Sequence, residues 1–521
     1  MLRKTVKDLG KHSLIYLIGG LASAMASIVL LPVYTRFLSK ADYGILEIID
    51  TTRYMLIIVL LAGFDPTMGK FYHGTEAEDE KRAAVSTAFA FVLTSAIFWT
   101  GCLFLMNDFL AERLLGGAGL AVFMNLGIVL LFAQAMQTTG ETYLNIRKKS
   151  LLFVSLSLCK LTLNVGANLT FIIALRLGPK GMLYGELLST GVTASILIGY
   201  LLRQNGLRVR FALLSPMLKF GLPFIPNALS ASLMHRVDRY LLQELTSLAD
   251  VGLYGVGFRF PFMLNFLMLS SFGRIWYASG MYDVAKQENS QQTHAKIATY
   301  FVSTYIICQY MLAVMAPTII RVLAAPDYFE AWKVLQVIAL ACCFYSIHPF
   351  FTTAAFIKNK TWYLPISHLI PALLSIGLNW TMLPRFGYMA AAFTTIATYS
   401  LYSFLNYLIC RAFYPIKFEF GRMAALLGVC VLVVGASDLF QLNSVIVEGV
   451  PILEGVKEVA LAVLLPLGVA ISPYLHIDEK QSLARELEKV HPQAARLYLK
   501  CSGANELSDT FNVSDSVDRD V

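Results

Sequence analysis

Fourteen stretches of roughly 20 mainly apolar residues follow one another along this chain, mostly joined by short connections. They cover about residues 13–36, 44–64, 83–106, 118–141, 151–175, 181–202, 214–236, 251–272, 297–320, 331–356, 362–383, 388–410, 422–440 and 451–474. Each is long enough to cross the hydrocarbon core of a bilayer as a helix, and in lipid the backbone groups of a lone segment are satisfied only in a helix. Composition agrees. Charged residues are 15% of the 521, against about a quarter in soluble domains, and 57% are hydrophobic. Mean hydropathy is +0.62. The expected fold class is an all-α integral membrane protein with about 14 transmembrane helices. The N-terminus imitates a secretory signal, with Arg3, Lys4, Lys7 and Lys11 before an apolar run and Ala24-Met25-Ala26 after it. That run continues through Leu31, longer than a signal's apolar core, so it reads as an uncleaved first span.

The net charge of +8 does not point to nucleic acid. Its basic residues are scattered through short connections and form no basic domain. They report topology instead. The N-terminus and the connections after even-numbered spans hold roughly 22 Lys and Arg, and the opposite connections roughly 11. Both termini are therefore expected on the cytoplasmic side. The eight cysteines have no metal-ligand or redox spacing and read as small apolar fillers. The tail from Ile477 begins as a charged helix and ends in a polar stretch of disordered character.

One short stretch occurs twice. Residues 38–48 read LSKADYGILEI and residues 246–256 read TSLADVGLYGV, each between two apolar runs. The basic turn at Arg147-Lys148-Lys149 has a counterpart at Lys358-Asn359-Lys360, and Arg176-Leu177-Gly178 one at Arg385-Phe386-Gly387. All three pairs are about 208–211 residues apart and in the same order. Six spans per repeat give both halves the same orientation, related by an axis along the membrane normal, as in transporters that bind substrate between the halves. The expected organisation is an N-lobe over 1–202, a C-lobe over 203–410, an appended helix pair over 411–476 and a cytoplasmic tail over 477–521.

Ionisable side chains inside spans are costly and therefore point to function. Glu47, Asp50 and Arg53 share one face of span 2. Arg53 lies roughly 13 Å along span 2 and Arg259 roughly 10 Å along span 8, the corresponding helix of the second half. Two guanidiniums on one cavity suit a phosphate group, because each offers a fixed fork of donors. The plainer alternative is that Asp50 neutralises Arg53 and that Arg259 snorkels. Pro261 is expected to bend span 8, and Pro223 and Pro226 to break span 7 where it lines a cavity. Asn227 is placed to hydrogen-bond a sugar or a neighbouring helix, and Asp238–Arg239, clustered with His235 and Arg236, either gate the outer end or form a solvated cluster at the interface. Lys160 and Glu186 either pair with each other or serve an ion pathway. Gln134 and Gln137 read as polar glue between helices, and Glu141 as interfacial. Residues 273–296, with Trp276, Tyr277 and Tyr282, read as an amphipathic helix in the interface. No His/Asp/Glu set has metal spacing, and no nucleotide loop or nucleophile elbow is present, so neither cofactor nor metal is expected.

The stretch LLPVYTRFLSKADYGILEI resembles the opening of the Wzx-type polysaccharide (lipid-linked oligosaccharide) flippases, whose superfamily includes multidrug exporters and lipid II flippases. KFGLPFIPNALSASLMHRVDRYLLQELTSLADVGLYGVGFRF is similar to that family's span 7–8 region. APDYFEAWKVLQVIAL before span 10 is also similar, and the resemblance spans about residues 12–410. It implies a MATE-like fold of two six-helix lobes with a central cationic cavity opening alternately to each side. The implied substrate is an undecaprenyl-pyrophosphate-linked oligosaccharide of O-antigen, capsule or exopolysaccharide, moved to the outer leaflet of the bacterial inner membrane. Arg53 and Arg259 match places where related flippases keep cavity cations. Membrane lipids, a polysaccharide polymerase and a chain-length regulator are the implied partners. Lipid II flippases also carry Arg in span 1, whereas this span 1 has none from Leu14 to Val33, which argues against lipid II as substrate. Competing readings are an ion-coupled multidrug exporter, a membrane polymerase or glycosyltransferase (disfavoured by short outer connections), and a scaffold, which would leave the buried arginines unexplained.

Overall fold

The computed structural model describes residues 28–443 except 359, and beyond them 458, 460–466, 468–469, 480, 498 and 502. Among these residues every regular element is helical. In chain order the α-helices are α1 (Leu31–Phe37), α2 (Lys40–Leu61), α3 (Phe64–His73), α4 (Glu78–Leu105), α5 (Asn107–Leu115), α6 (Ala121–Ile146), α7 (Ser150–Asn168), α8 (Pro179–Asn205), α9 (Phe211–Gly221) and α10 (Phe224–Leu245). They continue as α11 (Leu248–Ile275), α12 (Met281–Ala285), α13 (Ser290–Val314), α14 (Ala316–Leu323), α15 (Ala331–Tyr345), α16 (His348–Ile357), α17 (Leu364–Phe386), α18 (Tyr388–Phe413) and α19 (Phe420–Asn443).

Nine helical segments among the described residues are long and apolar enough to cross a membrane, so this is an all-α multi-pass membrane protein. The first and fourteenth expected spans, and the tail, lie largely outside the described residues. Three expected spans form helices that are not among the nine: α2, α10 and α18. The reason is physical. α2 carries Glu47, Asp50 and Arg53, and α10 carries Arg236, Asp238 and Arg239. α18 buries Thr394, Thr395, Thr398, Ser403 and Asn406 against its neighbours. Helices that face protein rather than lipid need not be apolar all round.

The described residues of Met1–His294 and Ile319–Lys417 form one compact unit, and those of Ala295–Thr318 and Phe418–Val521 form a second. In the first unit, the doubled motif becomes two capped helix starts. The Asp42 N–H donates to Ser39 Oγ at 3.1 Å, and the Ser39 N–H donates to Asp42 Oδ2 at 3.0 Å. The Asp250 N–H likewise donates to Ser247 Oγ at 3.1 Å. Ser-x-Ala-Asp is thus a capping sequence that satisfies donors left over at each helix N-terminus.

The glycine two residues on has a separate role. A Cβ on Gly44 would lie 1.9 Å from the Leu248 carbonyl oxygen, and one on Gly252 2.0 Å from the Lys40 carbonyl oxygen. Each repeat's glycine therefore touches the first turn of the other repeat's helix, and α2 and α11 cross backbone to backbone. Thr35 and Leu38 add to this end: Thr35 Oγ1 accepts from the Ala325 N–H at 3.1 Å, and the Leu38 carbonyl accepts from Tyr328 Oη at 3.1 Å. Farther along, α2 stops at Ala62 and Gly63, both left-handed (φ 48° and 70°). There a Cβ on Gly63 would lie 2.2 Å from the Gly221 carbonyl oxygen. Gly221 ends α9, one residue before Leu222-Pro223, so the break expected in span 7 sits against a break in span 2.

α11 continues through Pro261 as a single helix. One expectation changes: the segment after α11 does not lie free in the interface. Trp276 is 3% exposed, and its Nε1–H donates to Thr353 Oγ1 at 3.0 Å. Its indole lies against Phe350 and Phe272, so residues 276–280 form a packed elbow of π-helix. Trp276 and Tyr277, two of the aromatics that suggested a lipid interface, find their partners in protein, while Tyr282 is exposed.

The glycine crossing predicts a sharp size limit. Gly44→Ala and Gly252→Ala should each destabilise the purified protein by about 1–3 kcal/mol, as overpacking does. Gly199→Ala, whose added Cβ meets nothing within 4 Å, should be neutral. Thermal unfolding in detergent separates the cases, and equal melting temperatures for all three would refute a backbone-to-backbone crossing.

Candidate functional site

Below the crossing, α1, α2, α7, α8 and α11 enclose a cavity of about 350 Å³. Its charged lining is Glu47, Asp50, Arg53, Lys160, Glu186 and Arg259, with Tyr34, Tyr43 and Asn164 beside them. A second cavity of about 240 Å³ shares Glu47, Asp50 and Arg259 and adds His235, Arg236 and Arg239 from α10. A row of opposite charges therefore stands where the two spaces meet.

The i, i+3, i+6 spacing on α2 puts all three of its charges on this wall. Arg53 is 6% exposed, and its Nη2 donates to Asp50 Oδ1 at 3.0 Å and to Glu186 Oε1 at 2.9 Å. Arg259 Nη2 donates to Glu47 Oε1 at 3.0 Å. Arg236 Nη1 donates to Asp50 Oδ2 at 3.2 Å, and Arg239 lies 3.9 Å from Glu47 Oε2. Rings fix three guanidiniums: Arg236 over Tyr54 at 4.1 Å, Arg239 over Phe258 at 4.3 Å and Arg259 over Tyr43 at 5.2 Å. A lone charge at this depth would cost about 2.5–3.5 kcal/mol on insertion scales. Pairing offsets that, and most of these pairs join α2 to α10 or α11. Thr52 and Tyr240 share a further hydrogen bond of 2.9 Å between α2 and α10.

The guanidiniums are not saturated. Nε and Nη1 of Arg53, and Nη1 of Arg259, are buried with no hydrogen-bond acceptor among the described residues. Buried donors without acceptors are costly, and an anion accepting from them would recover that cost.

With helices and cavity placed, comparison with known proteins is informative. The MurJ lipid II flippase in an inward closed conformation superposes with a TM-score of 0.70 at 12% identity, over 88% of this chain and 97% of that one. An inward-facing multidrug resistance MATE family transporter of the MOP superfamily gives 0.61 at 16% identity, over 77% and 95%. An outward-facing one gives 0.58 at 15%, over 80% and 96%. This is the MurJ and MATE fold. A family model described as polysaccharide biosynthesis protein matches residues 33–265, which include Glu47, Asp50, Arg53 and Arg259. No curated protein matches the sequence. Fold and family model together bear out the resemblance seen in the sequence.

Within the MurJ and MATE fold, the residues singled out from sequence fall into three groups. Arg53, Arg259, Glu47, Asp50, Lys160 and Glu186 line the central cavity together. Asp238 and Arg239 pair at 2.8 Å, and Asp238 also accepts from Tyr254 Oη at 2.5 Å. Both are buried, not a solvated cluster at a helix end. Asn227 lines neither cavity, and its Oδ1 is buried without a hydrogen-bond partner among the described residues. The expected Lys160–Glu186 pair is not formed, because Arg53 takes Glu186 and Lys160 Nζ donates to Gln137 Oε1 at 2.8 Å. Gln137 Nε2 in turn donates to Glu141 Oε1 at 2.5 Å, so Gln137 does join α6 to α7, and Glu141 is a half-buried partner in that chain.

Sequence reading missed Tyr34, Tyr43 and Asn164 as cavity residues and Arg236 as the second partner of Asp50. Tyr43 had a signal, since it stands inside the repeated motif where the second half has Val251. Among the described residues no group of His, Cys, Asp and Glu is arranged to hold a metal ion.

The pairing predicts an asymmetric mutational response. Glu47→Gln leaves Arg259 without its carboxylate and should cost about 3 kcal/mol of stability. The double variant Glu47→Gln/Arg259→Gln should lose less than the sum of the single variants in a thermal-unfolding cycle. Additive losses would mean that the two side chains do not act as a pair.

Proposed function

We propose that this protein is a flippase for an undecaprenyl-pyrophosphate-linked oligosaccharide, a repeat unit of O-antigen, capsule or exopolysaccharide. It moves this lipid from the cytoplasmic to the outer leaflet of a bacterial inner membrane by alternating access. The observation that carries the reading is the pair Arg53 and Arg259. They come from α2 and α11, which the sequence repeat relates, line one cavity, and carry buried donors with no acceptor among the described residues. A diphosphate has the charge and the oxygens to meet both forks. The polysaccharide-biosynthesis family model over residues 33–265 supports a saccharide cargo, and the likeness to a lipid II flippase supports a lipid-linked one.

The pairing suggests how cargo and motion are coupled. Glu47 on α2 holds Arg259 on α11, and Asp50 holds Arg236 on α10. With the glycine crossing on the outer side, as the Lys/Arg bias implies, the close contact of α2 and α11 would shut the cavity outward. A diphosphate that takes up Arg259 competes with Glu47 and loosens a tie between the halves at that end. The halves then rock about the crossing, with Glu47, Asp50, Asp238 and Arg239 acting as the gate. The sugar occupies the cavity and the isoprenoid stays in lipid. An ion-coupled exporter of cationic drugs would use free carboxylates, but Glu47, Asp50 and Glu186 are each engaged by a guanidinium.

In cells carrying Arg53→Ala, Arg259→Ala or both, with the protein still inserted at normal level, lipid-linked oligosaccharide should accumulate on the cytoplasmic face. Surface polysaccharide should fall at least tenfold, the loss expected from removing one charged hydrogen-bonding group. Normal surface polysaccharide in all three strains would exclude this function for the two arginines.

A further inference from the structure

The two cavities and the Asp238 behind them hold five cations and four carboxylates. Arg53, Arg236, Arg239 and Arg259 each have at least one carboxylate within 4 Å. Lys160 is the fifth cation. Among the described residues no carboxylate oxygen lies that close to its ammonium, and its hydrogen bond goes to the neutral amide of Gln137 at 2.8 Å. Within these two cavities the excess positive charge is therefore held by one side chain, on α7, at the cavity wall, with Glu141 on its far side beyond Gln137.

Its setting keeps it available. Lys160 also lines a small polar pocket with Gln137 and Glu141. The Gln137 amide is oriented at both ends, oxygen toward Lys160 and nitrogen toward Glu141. Glu141 thus acts on Lys160 through an amide, without forming a direct pair that would cancel the ammonium. An ammonium carries three donors on a flexible stem, and one amide oxygen occupies only one of them. An arginine in this cavity must give up a carboxylate to bind an anion with its paired donors, whereas Lys160 need give up nothing.

We propose that Lys160 is the first docking group for the anionic head of the cargo, and that Arg53 and Arg259 engage it after Lys160 has done so. This rests on the flippase reading and adds to it the residue that selects a diphosphate head. Lys160 supplies the charge that the neutralised arginines do not, and Gln137 is a positioning residue that aims it.

Farnesyl diphosphate, a short isoprenoid diphosphate, serves as the probe, titrated calorimetrically into the purified full chain, with farnesol as the uncharged control. The expected result is that Lys160→Gln weakens diphosphate binding at least tenfold, about the worth of one charge-assisted hydrogen bond. Lys160→Arg should retain affinity within about threefold, because the charge is kept. Gln137→Leu should fall between them, and farnesol should be indifferent to all three. Lys160→Met is the second neutral variant should Lys160→Gln not fold. If the native chain binds farnesyl diphosphate and the neutral variants bind it equally well, Lys160 is not the docking group while the flippase reading stands. If the native chain binds farnesol as tightly as the diphosphate, the flippase reading fails and this inference fails with it.

Discussion

Much of this structure depends on the close crossing of α2 and α11. Gly44 and Gly252 allow each helix to rest against a carbonyl oxygen in the other's first turn, at a distance no larger side chain permits. Glu47 follows Gly44 by three residues and packs against Gly255, so the same crossing brings a carboxylate of one repeat within 3.0 Å of Arg259 in the other. Small residues do in membranes what hydrophobic burial does in water, since lipid gives apolar helices little reason to prefer each other. Here the small residues also set the distance over which the charges meet.

Charge pairing then explains why so polar a centre is tolerated. Every guanidinium facing the two cavities is matched by a carboxylate, stacked on a ring, or both. Several donors are nonetheless left over, and one ammonium has no carboxylate paired directly with it among the described residues. A site that is nearly neutral but holds unused donors is suited to a ligand that arrives and leaves, because full compensation would leave it nothing to offer and none would make it too costly to bury. Of the three helices that fail a simple test of membrane-spanning hydropathy, α2 and α10 carry most of these charges.

Periodic features were legible in the sequence. Apolar runs of span length, the doubled Ala-Asp-x-Gly stretch, the common face of Glu47, Asp50 and Arg53, and the break near Pro223 are local or regularly spaced, and each has a counterpart in the structure. Partner choice was not legible. Arg53 reaches Glu186, 133 residues away, and so leaves Lys160 to Gln137, a consequence of how α2, α7 and α8 stand around one cavity. Asn227 has the right chemistry for a sugar and a position off the cavity wall, and Trp276 has the character of an interface anchor but a protein partner in Thr353. The doubled motif had a second meaning that spacing alone did not reveal: its serines and aspartates cap helices, and its glycines hold the two repeats together.

The central claim is that the cavity between the repeats holds a lipid-linked diphosphate. Native mass spectrometry of the protein taken from its own membrane directly into lipid nanodiscs tests this most directly. The account predicts a retained mass of a polyprenyl diphosphate bearing sugars, displaced by added farnesyl diphosphate and absent when both Arg53 and Arg259 are replaced by Ala. A protein that carries only bulk phospholipid, or a polyprenyl diphosphate retained equally well without the two arginines, would contradict it.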